Sequence, residues 1–505
     1  MTDSIQKIKH PELVFGFVAP IGAELTTTIA SFRRYFESRD YRVVEVKITD
    51  VFSVLQKYIP PEKPLDKTTE YNRYISYIAY GNQLRAKFDD AILASIPVRR
   101  IMSKRLKLGS DNDGRFSKIV YLIHQLKRKE EIDLLRTVYG RVFFQVSVYS
   151  RRGARVDYLS RKFASSDNIA AHVKYRPNAE SLVQDDENEV GKQHGQRVAK
   201  IFHDADFIVN LDVSESIELQ VRRFCELLFG SNSISPTHIE YGLFLAKAAA
   251  LRTVDLSRQV GAAIFSCAGE IVAIGSNEVP KAGGGTYWED DKFDDRDFKR
   301  RTDSNYDRKR EILGEIVQIV SPNLKIDEVL KLQQIKDSQF MDALEYGRIV
   351  HAEMSALSDA ARVGRSVAKG TLYCTTFPCH MCAKHIVASG IAKVFFLEPY
   401  PKSLASDLHS DSICVEGGDR GHYQKFPSVE FEHFFGVTPR RYREVFERGR
   451  RKNDEDGTFQ DCINGEALPI IDIKYPFYHQ LEEYITGQAM EALEAIAASQ
   501  EVVDV

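Results

Sequence analysis

An α/β chain of at least two domains is what the sequence predicts, and three observations carry that expectation. At 505 residues the chain exceeds what one hydrophobic core ordinarily serves. Apolar runs of strand length alternate with helical patterns over roughly the first 225 residues. A cluster of Gly, Ser, Asn and Pro in "FGSNSISPTHIEYG" then interrupts the alternation before it resumes. Taken in order, "LVFGFVA" reads as a continuous apolar strand, "ELTTTIASFRRYFESR" as a helix and "YRVVEVKI" as a second strand. "KIVYLIHQL", "RVFFQVSVYS" and "ADFIVNLD" follow as three more strands, with helical stretches such as "KEEIDLLRTVYG" between them. Apolar strands linked by helical crossovers imply a parallel sheet covered on both faces.

Beyond the interruption, "PTHIEYGLFLAKAAALRT" reads as a helix, and "QVGAAIFS" and "EIVAIGSN" as strands joined by a hairpin-like turn. A highly charged stretch containing the sole tryptophan, Trp288, comes next. Then "EYGRIVHAEMSALSDAARVG" is a helix, "TLYCTTF" a strand, "CHMCAKHIVASG" a helix and "KVFFLE" a strand. Near the carboxy end, Ile485, Ala489, Leu493 and Ile496 recur at helical spacing, the pattern of a packing or oligomer helix. The expected domains are residues 1–230, residues 236–425 with an insertion at about 283–345, and a mostly helical extension over 426–505.

Composition narrows the class. The chain is 43% hydrophobic and 28% charged with a net charge of −3, which argues against a protein built chiefly to hold long nucleic acid. Seven cysteines with one closely spaced pair make no disulfide framework and fit a reducing cytoplasm. The uncharged run Leu13–Ala23 is too short to span a bilayer and is interrupted by Gly16, Pro20 and Gly22. It reads as a buried strand entering a turn.

The chemistry concentrates around "TTFPCHMCAKHI". Taken alone, Cys379 and Cys382 admit three readings: a redox dithiol, half of a structural zinc knuckle, or part of a catalytic metal site. Twenty-eight residues before Cys379 stands His351, with Glu353 two positions further on. A redox dithiol leaves both without a role, and a knuckle needs a second ligand pair that the chain lacks. Catalytic zinc takes three protein ligands and keeps a position for water, so His351, Cys379 and Cys382 are the expected ligands. Glu353 is the expected proton carrier, and His380 and His385 are bystanders. His-x-Glu followed by Pro-Cys-x-x-Cys is the signature of zinc nucleobase deaminases.

On these residues, together with "DLSRQVGAAI", "GSNEVP" and "TTFPCHMCAKHIVASGIAKVFF", the chain resembles the cytidine deaminase superfamily, in its deoxycytidylate deaminase branch. Over a longer span, "NEVPKAGGGTYW", "PYPKSLASDLHSD" and "GVTPRRY" resemble the anti-phage dCTP deaminases, which fuse a P-loop, kinase-like domain to a deaminase-like domain. The resemblance implies a P-loop-like parallel α/β domain followed by a cytidine deaminase-like α/β/α domain with a mixed sheet. It implies Zn²⁺-dependent conversion of dCTP, and also of dCMP, to the uracil nucleotide, depleting dCTP during phage infection. A homo-oligomer is implied too. Some relatives are held inactive by a small non-coding RNA, so a regulatory RNA or a phage-derived trigger is a candidate partner.

In that family the Asn after the second strand contacts the nucleotide, and Asn277 occupies its place; its alternative is a turn residue. Thr376 belongs to the expected wall beside the reacting amine. Arg258 and Lys402 are candidates for the phosphates, each equally readable as a solvated charge. The insertion reads as a lid, an oligomer contact or a solvated loop. The phosphate loop departs from its pattern: Gly22 is followed by Ala23 and Glu24, no Lys is present, and Gly16 lies one position too far upstream. Gly22 is the candidate nucleotide-binding position, but hydrolysis of ATP is not expected. The rival functions are a single-stranded nucleic-acid editing deaminase and a housekeeping dCMP deaminase with a regulatory P-loop domain.

Overall fold

The computed structural model describes residues 8–108, 118–187, 196–400, 402–449, 451–461 and 468–501; Cys462 and the side chain of Ile496 lie outside what it describes. The chain is α/β and forms two compact units, one of residues 1–236 with 435–505 and the other of 237–434. In the first unit, strands β1 (Leu13–Val18), β2 (Arg42–Lys47), β3 (Ile119–His124), β4 (Phe143–Tyr149) and β5 (Phe207–Asn210) make a parallel sheet ordered β5-β4-β1-β3-β2. β1, β3 and β4 are buried almost throughout, as expected for central strands covered on both faces. Glu12, entering β1, is buried as well. Burial pushes its carboxyl up, but hydrogen bonds from His479 and Arg105 outweigh this and hold it at about 2.

The second unit carries β6 (Gly261–Phe265), β7 (Ile271–Ser276), β8 (Thr371–Thr376), β9 (Lys393–Glu398), β10 (Ile413–Val415) and β11 (Val429–His433), ordered β10-β11-β9-β8-β6-β7. The β7-β6 and β6-β8 pairs are antiparallel and the other three are parallel, so this sheet is mixed. β11 falls in the stretch expected as a helical extension. Its residues, "VEFEH", alternate buried and half-buried with period two, which is strand patterning. β12 (Gly436–Val437) then pairs antiparallel with β5, so the segment after Phe434 rejoins the first sheet. The expected carboxy-terminal helix is present as Tyr478–Glu501, and its Glu482 pairs with Arg105 at 2.6 Å.

Two glycines set how closely helices sit on the second sheet. Gly261 pairs with Ser276 and Ala262 with Gly275, so Gly261 and Gly275 face opposite sides. A Cβ on Gly261 would lie 1.9 Å from the carbonyl O of Ala246, on the helix His238–Ala250. A Cβ on Gly275 would lie 2.2 Å from the carbonyl O of Ala352, on the helix Ala352–Arg362. Ala262, Ile264, Ala352 and Ala356 share the core on that second face with Cys379, Cys382 and Ala383. The two helices that carry the motif residues therefore lie on one side of the sheet, one of them seated directly on a glycine.

Gly275→Ala tests this seating. Overpacking of this kind costs about 1–3 kcal/mol. The variant should melt at lower temperature and hold metal more weakly, because its helix must ride outward. Unchanged melting and unchanged metal affinity would show that the close approach is dispensable.

Candidate metal centre

Both ligand-bearing helices begin at the residues that matter. His351 is the N-cap of Ala352–Arg362, with extended backbone (φ −63°, ψ 156°), and Ser355 N donates to its carbonyl O at 2.8 Å. Cys379 is the N-cap of His380–Ala388 in the same conformation (φ −69°, ψ 166°), and Ala383 N donates to its carbonyl O at 2.9 Å. Pro378 precedes it and suits the break between strand β8 and the helix. Ser403 Oγ donates to the carbonyl O of Pro378 at 2.8 Å, fixing the loop that presents Cys379. Cys382 follows within the first helical turn.

His351 Nδ1 lies 3.3 Å from Cys379 Sγ and 3.4 Å from Cys382 Sγ. The three donor atoms all fall within 4.8 Å of one another. A tetrahedral zinc ion with ordinary Zn–N and Zn–S bonds separates such donors by about 3.6 Å, so one nitrogen and two sulfurs at these spacings fit it. Glu353 is buried beside this set, and its Oε2 accepts from Cys382 Sγ at 3.4 Å.

The protonation pattern follows from the crowding. Cys382 and the His351 ring beside it hold Cys379 well below the usual thiol range. Cys379 in turn pushes Cys382 up, with burial adding to it. His351 is raised, first by its bond to Cys379. Burial raises the Glu353 carboxyl, and the charge of Cys379 adds to the effect. Two helix N-termini aimed at one point favour negative donors there. Cys374 stays in the core of β8, and burial pushes its thiol far up. His380 Nε2 faces Glu345 of the insertion at 3.7 Å instead of joining the donors.

The other predicted residues sit around the second unit's loops. Asn277 follows β7, and its amide is fully engaged by the chain. Nδ2 donates to Asp255 Oδ2 and to the carbonyl O of Arg258, each at 2.8 Å, while Oδ1 accepts from Val260 N at 2.7 Å. It thereby organises the loop that carries Arg258. Arg258 pairs with Glu398 at 3.4 Å and lies 5.1 Å from the Tyr400 ring centroid. Thr376, ending β8, places Oγ1 3.5 Å from the same Glu398. Lys402 is ion-paired with Asp342 of the insertion. Glu398 and Asp342, which gather these groups, carry no motif in sequence and become visible only through their partners. The Arg252 guanidinium, just after the helix His238–Ala250, lies 3.5 Å from the Trp288 ring centroid.

Gly22 lies in the first unit, after β1, at φ +86°, where a Cβ would also meet the carbonyl O of Arg155 at 2.7 Å. The backbone donors on either side of it are already used. Ile21 N donates to Asp186 Oδ2 at 2.6 Å, and Ala23 N to the carbonyl O of Pro20 at 3.0 Å. Glu24 caps the following helix, accepting from Thr26 N and Thr27 N at 3.1 and 3.3 Å.

Residues 236–398 match the family model described as the cytidine and deoxycytidylate deaminase zinc-binding region. The deoxycytidylate deaminase of Enterobacteria phage T2 is 46% identical over 54 residues, 11% of this chain and 29% of the relative. The probable deoxycytidylate deaminase of Drosophila melanogaster is 35% identical over 105 residues, 20% of this chain and 51% of the relative. The chain thus spans 29% and 51% of the length of these two relatives. The apo dCMP deaminase of cyanophage S-TIM5 aligns with 40% of this chain and 100% of its own, at 17% identity and a TM-score of 0.23. The match assigns a deaminase-type zinc-binding region to the second unit, and with the donor set it makes Zn²⁺ the metal of this site.

Replacing Cys379 or Cys382 by Ser should drop bound zinc from about one atom per chain toward none, because a site of three protein ligands does not hold the ion on two. Metal analysis of the purified variants decides this. Full zinc occupancy in both variants would remove these cysteines from the ligand set.

Proposed function

We propose that the second unit hydrolytically deaminates deoxycytidine nucleotides, taking dCMP and dCTP to the corresponding uracil nucleotides and ammonia. The observation that carries this reading is the buried Glu353 carboxyl beside the His351–Cys379–Cys382 set, within the region that matches the deaminase model. Bound zinc supplies the Lewis acidity that makes water nucleophilic near neutral pH. Glu353 takes the proton of the attacking water, passes it to N3 of the pyrimidine, and later delivers a proton to the amine leaving C4. The C4–O bond forms first, with the first water proton ending on N3; the hydroxyl proton at C4 then passes through Glu353 to the amine as the C4–N bond breaks, and ammonia departs without any oxidant or reductant. The names of the phage T2 and Drosophila melanogaster relatives support the deoxycytidylate form of the base-bearing substrate.

The residues around the site have matching roles in this reading. Thr376 walls the amine. Asn277 keeps the Arg258 loop in place and reaches a sugar hydroxyl by exchanging its bond to Asp255. Arg258 and Lys402 exchange Glu398 and Asp342 for substrate phosphates. The family resemblance supports the biological reading: a cytoplasmic homo-oligomer that depletes dCTP in defence against phage, with the first unit answering to a regulatory RNA or a phage-derived trigger. No helix among the described residues is long and apolar enough to cross a membrane.

Incubation of the purified protein with dCMP, dCTP and cytosine-containing single-stranded DNA tests the substrate class. Uracil nucleotides should form from the free nucleotides, and deamination of the strand alone would overturn the reading. Glu353→Ala should lower turnover by about 10²-fold or more while zinc stays bound. Full activity in that variant would remove Glu353 from the proton path. Arg258→Gln and Lys402→Gln should raise KM severalfold more for dCTP than for dCMP, since the longer phosphate chain draws on more cationic partners; equal effects on both would place the phosphates elsewhere.

A further inference from the structure

The first unit contains a cavity of about 440 Å³ that lies outside the zinc chemistry altogether. Its position follows from the sheet order β5-β4-β1-β3-β2, in which β1 is flanked by β3 and β4. In open parallel sheets of this kind, ligands bind beyond the carboxyl ends of the strands where the order reverses. The cavity is lined by Ile21 and Ala23 after β1, Ile48 and Thr49 after β2, and Gln125 after β3.

The loop after β1 does not itself offer a phosphate cradle. Asp186 and Glu24 accept from its amides, and Lys127 Nζ bridges the carbonyl O of Ala19 at 2.9 Å and Asp186 Oδ1 at 2.7 Å. The chain's own carboxylates thus stand where a bound anion would accept. The neighbouring cavity has a different character. Ile29, Ile48, Phe52 and Leu93 give it an apolar floor, and Tyr74, Tyr77 and Tyr158 give it aromatic walls.

Six cations line it, against the carboxylates of Glu45 and Glu131. Some of them are structural: Arg85 is buried and locked to Glu131 at 2.7 Å, and Arg33 pairs with Glu45. At the tyrosine end the balance is different. Arg73 and Lys162 share one carboxylate, Glu70, at 2.9 and 3.2 Å, leaving an excess positive charge. Both also lie against Tyr74, the Arg73 guanidinium at 4.8 Å and Lys162 Nζ at 5.4 Å from its ring centroid. On the rim, Gln125 adopts φ +64°, a left-handed conformation costly for a non-glycine residue and frequent at ligand-holding turns. A volume in the small-molecule range, aromatic walls, and cations that outnumber their partner acid suit a planar base carrying phosphate.

We propose that this cavity is a nucleoside-phosphate-binding site of the first unit. Arg73 and Lys162 hold the phosphate, and Tyr74 and Tyr77 with the apolar floor hold the base. The degenerate loop after β1 serves as a closed wall of the site and not as its phosphate cradle.

Calorimetric titration of the full-length, zinc-loaded protein tests it, with AMP, GMP, dTMP and dTTP as probes and adenosine, thymidine and inorganic phosphate as controls. At least one nucleotide should bind at one site per chain, with its free nucleoside and inorganic phosphate each binding much more weakly. The double substitution Arg73→Ala with Lys162→Ala should weaken that binding by roughly tenfold or more, while Arg73→Lys with Lys162→Arg retains most of it. His351→Ala should leave it unchanged. Absence of binding by every probe nucleotide would overturn the proposal. So would binding insensitive to the Arg73 and Lys162 substitutions, or binding lost with His351→Ala, which would place the ligand at the zinc site.

Discussion

A helix pressed onto a strand, with only the hydrogen of Gly275 between its backbone and the sheet, sets the geometry on which the second unit's chemistry rests. The carbonyl O of Ala352 lies where any Cβ at position 275 would need to be. Ala352 stands between His351 and Glu353, so this contact fixes the height of both above the sheet. Gly261 performs the same service on the opposite face for the helix His238–Ala250. Strands β6 and β7 are therefore gripped from both sides, and the first turn of the His351 helix has little room to shift. A proton carrier and a metal ligand two residues apart need that rigidity, because small displacements at a reacting centre are costly.

Electrostatics then does what packing alone does not. A buried carboxyl and two buried cysteines in one place would ordinarily repel or stay neutral. Here the N-termini of two helices point at the cluster and favour negative charge, and the two cysteines push each other apart, Cys379 down and Cys382 up. Glu353 is held toward its protonated form by burial. Around the loops, Arg258 and Lys402 are each matched to a carboxylate, Glu398 and Asp342. The insertion takes part in this arrangement through Asp342 and Glu345.

In the first unit the parallel strands run in the order β5-β4-β1-β3-β2, and the loop after β1 is filled by the chain's own groups. Asp186 and Glu24 satisfy amides that would otherwise seek an anion, and Lys127 neutralises Asp186 where it is buried. The missing Lys of the loop was visible in "APIGAELTT". The part played by Asp186 was not, because it lies 165 residues from the amide it receives.

The two α/β regions, the strands with continuous apolar runs, and the His351, Glu353, Cys379 and Cys382 constellation are legible along the chain. Each of these is written in local spacing: period, cap, and the Cys-x-x-Cys turn of a helix. The sequence was misleading over residues 426–505, where the five-residue alternation of β11 is too short to stand out beside a long helix. Tertiary structure alone decided that the two motif halves meet within hydrogen-bonding range and that β12 returns to the first sheet. It also decided that Asn277 spends its amide on the Arg258 loop, and that Arg73 and Lys162 converge on one glutamate. The physical reason is common to all four. Each depends on groups far apart in the chain, brought together by sheet order and by how closely helices approach the sheet, and no local pattern encodes that distance.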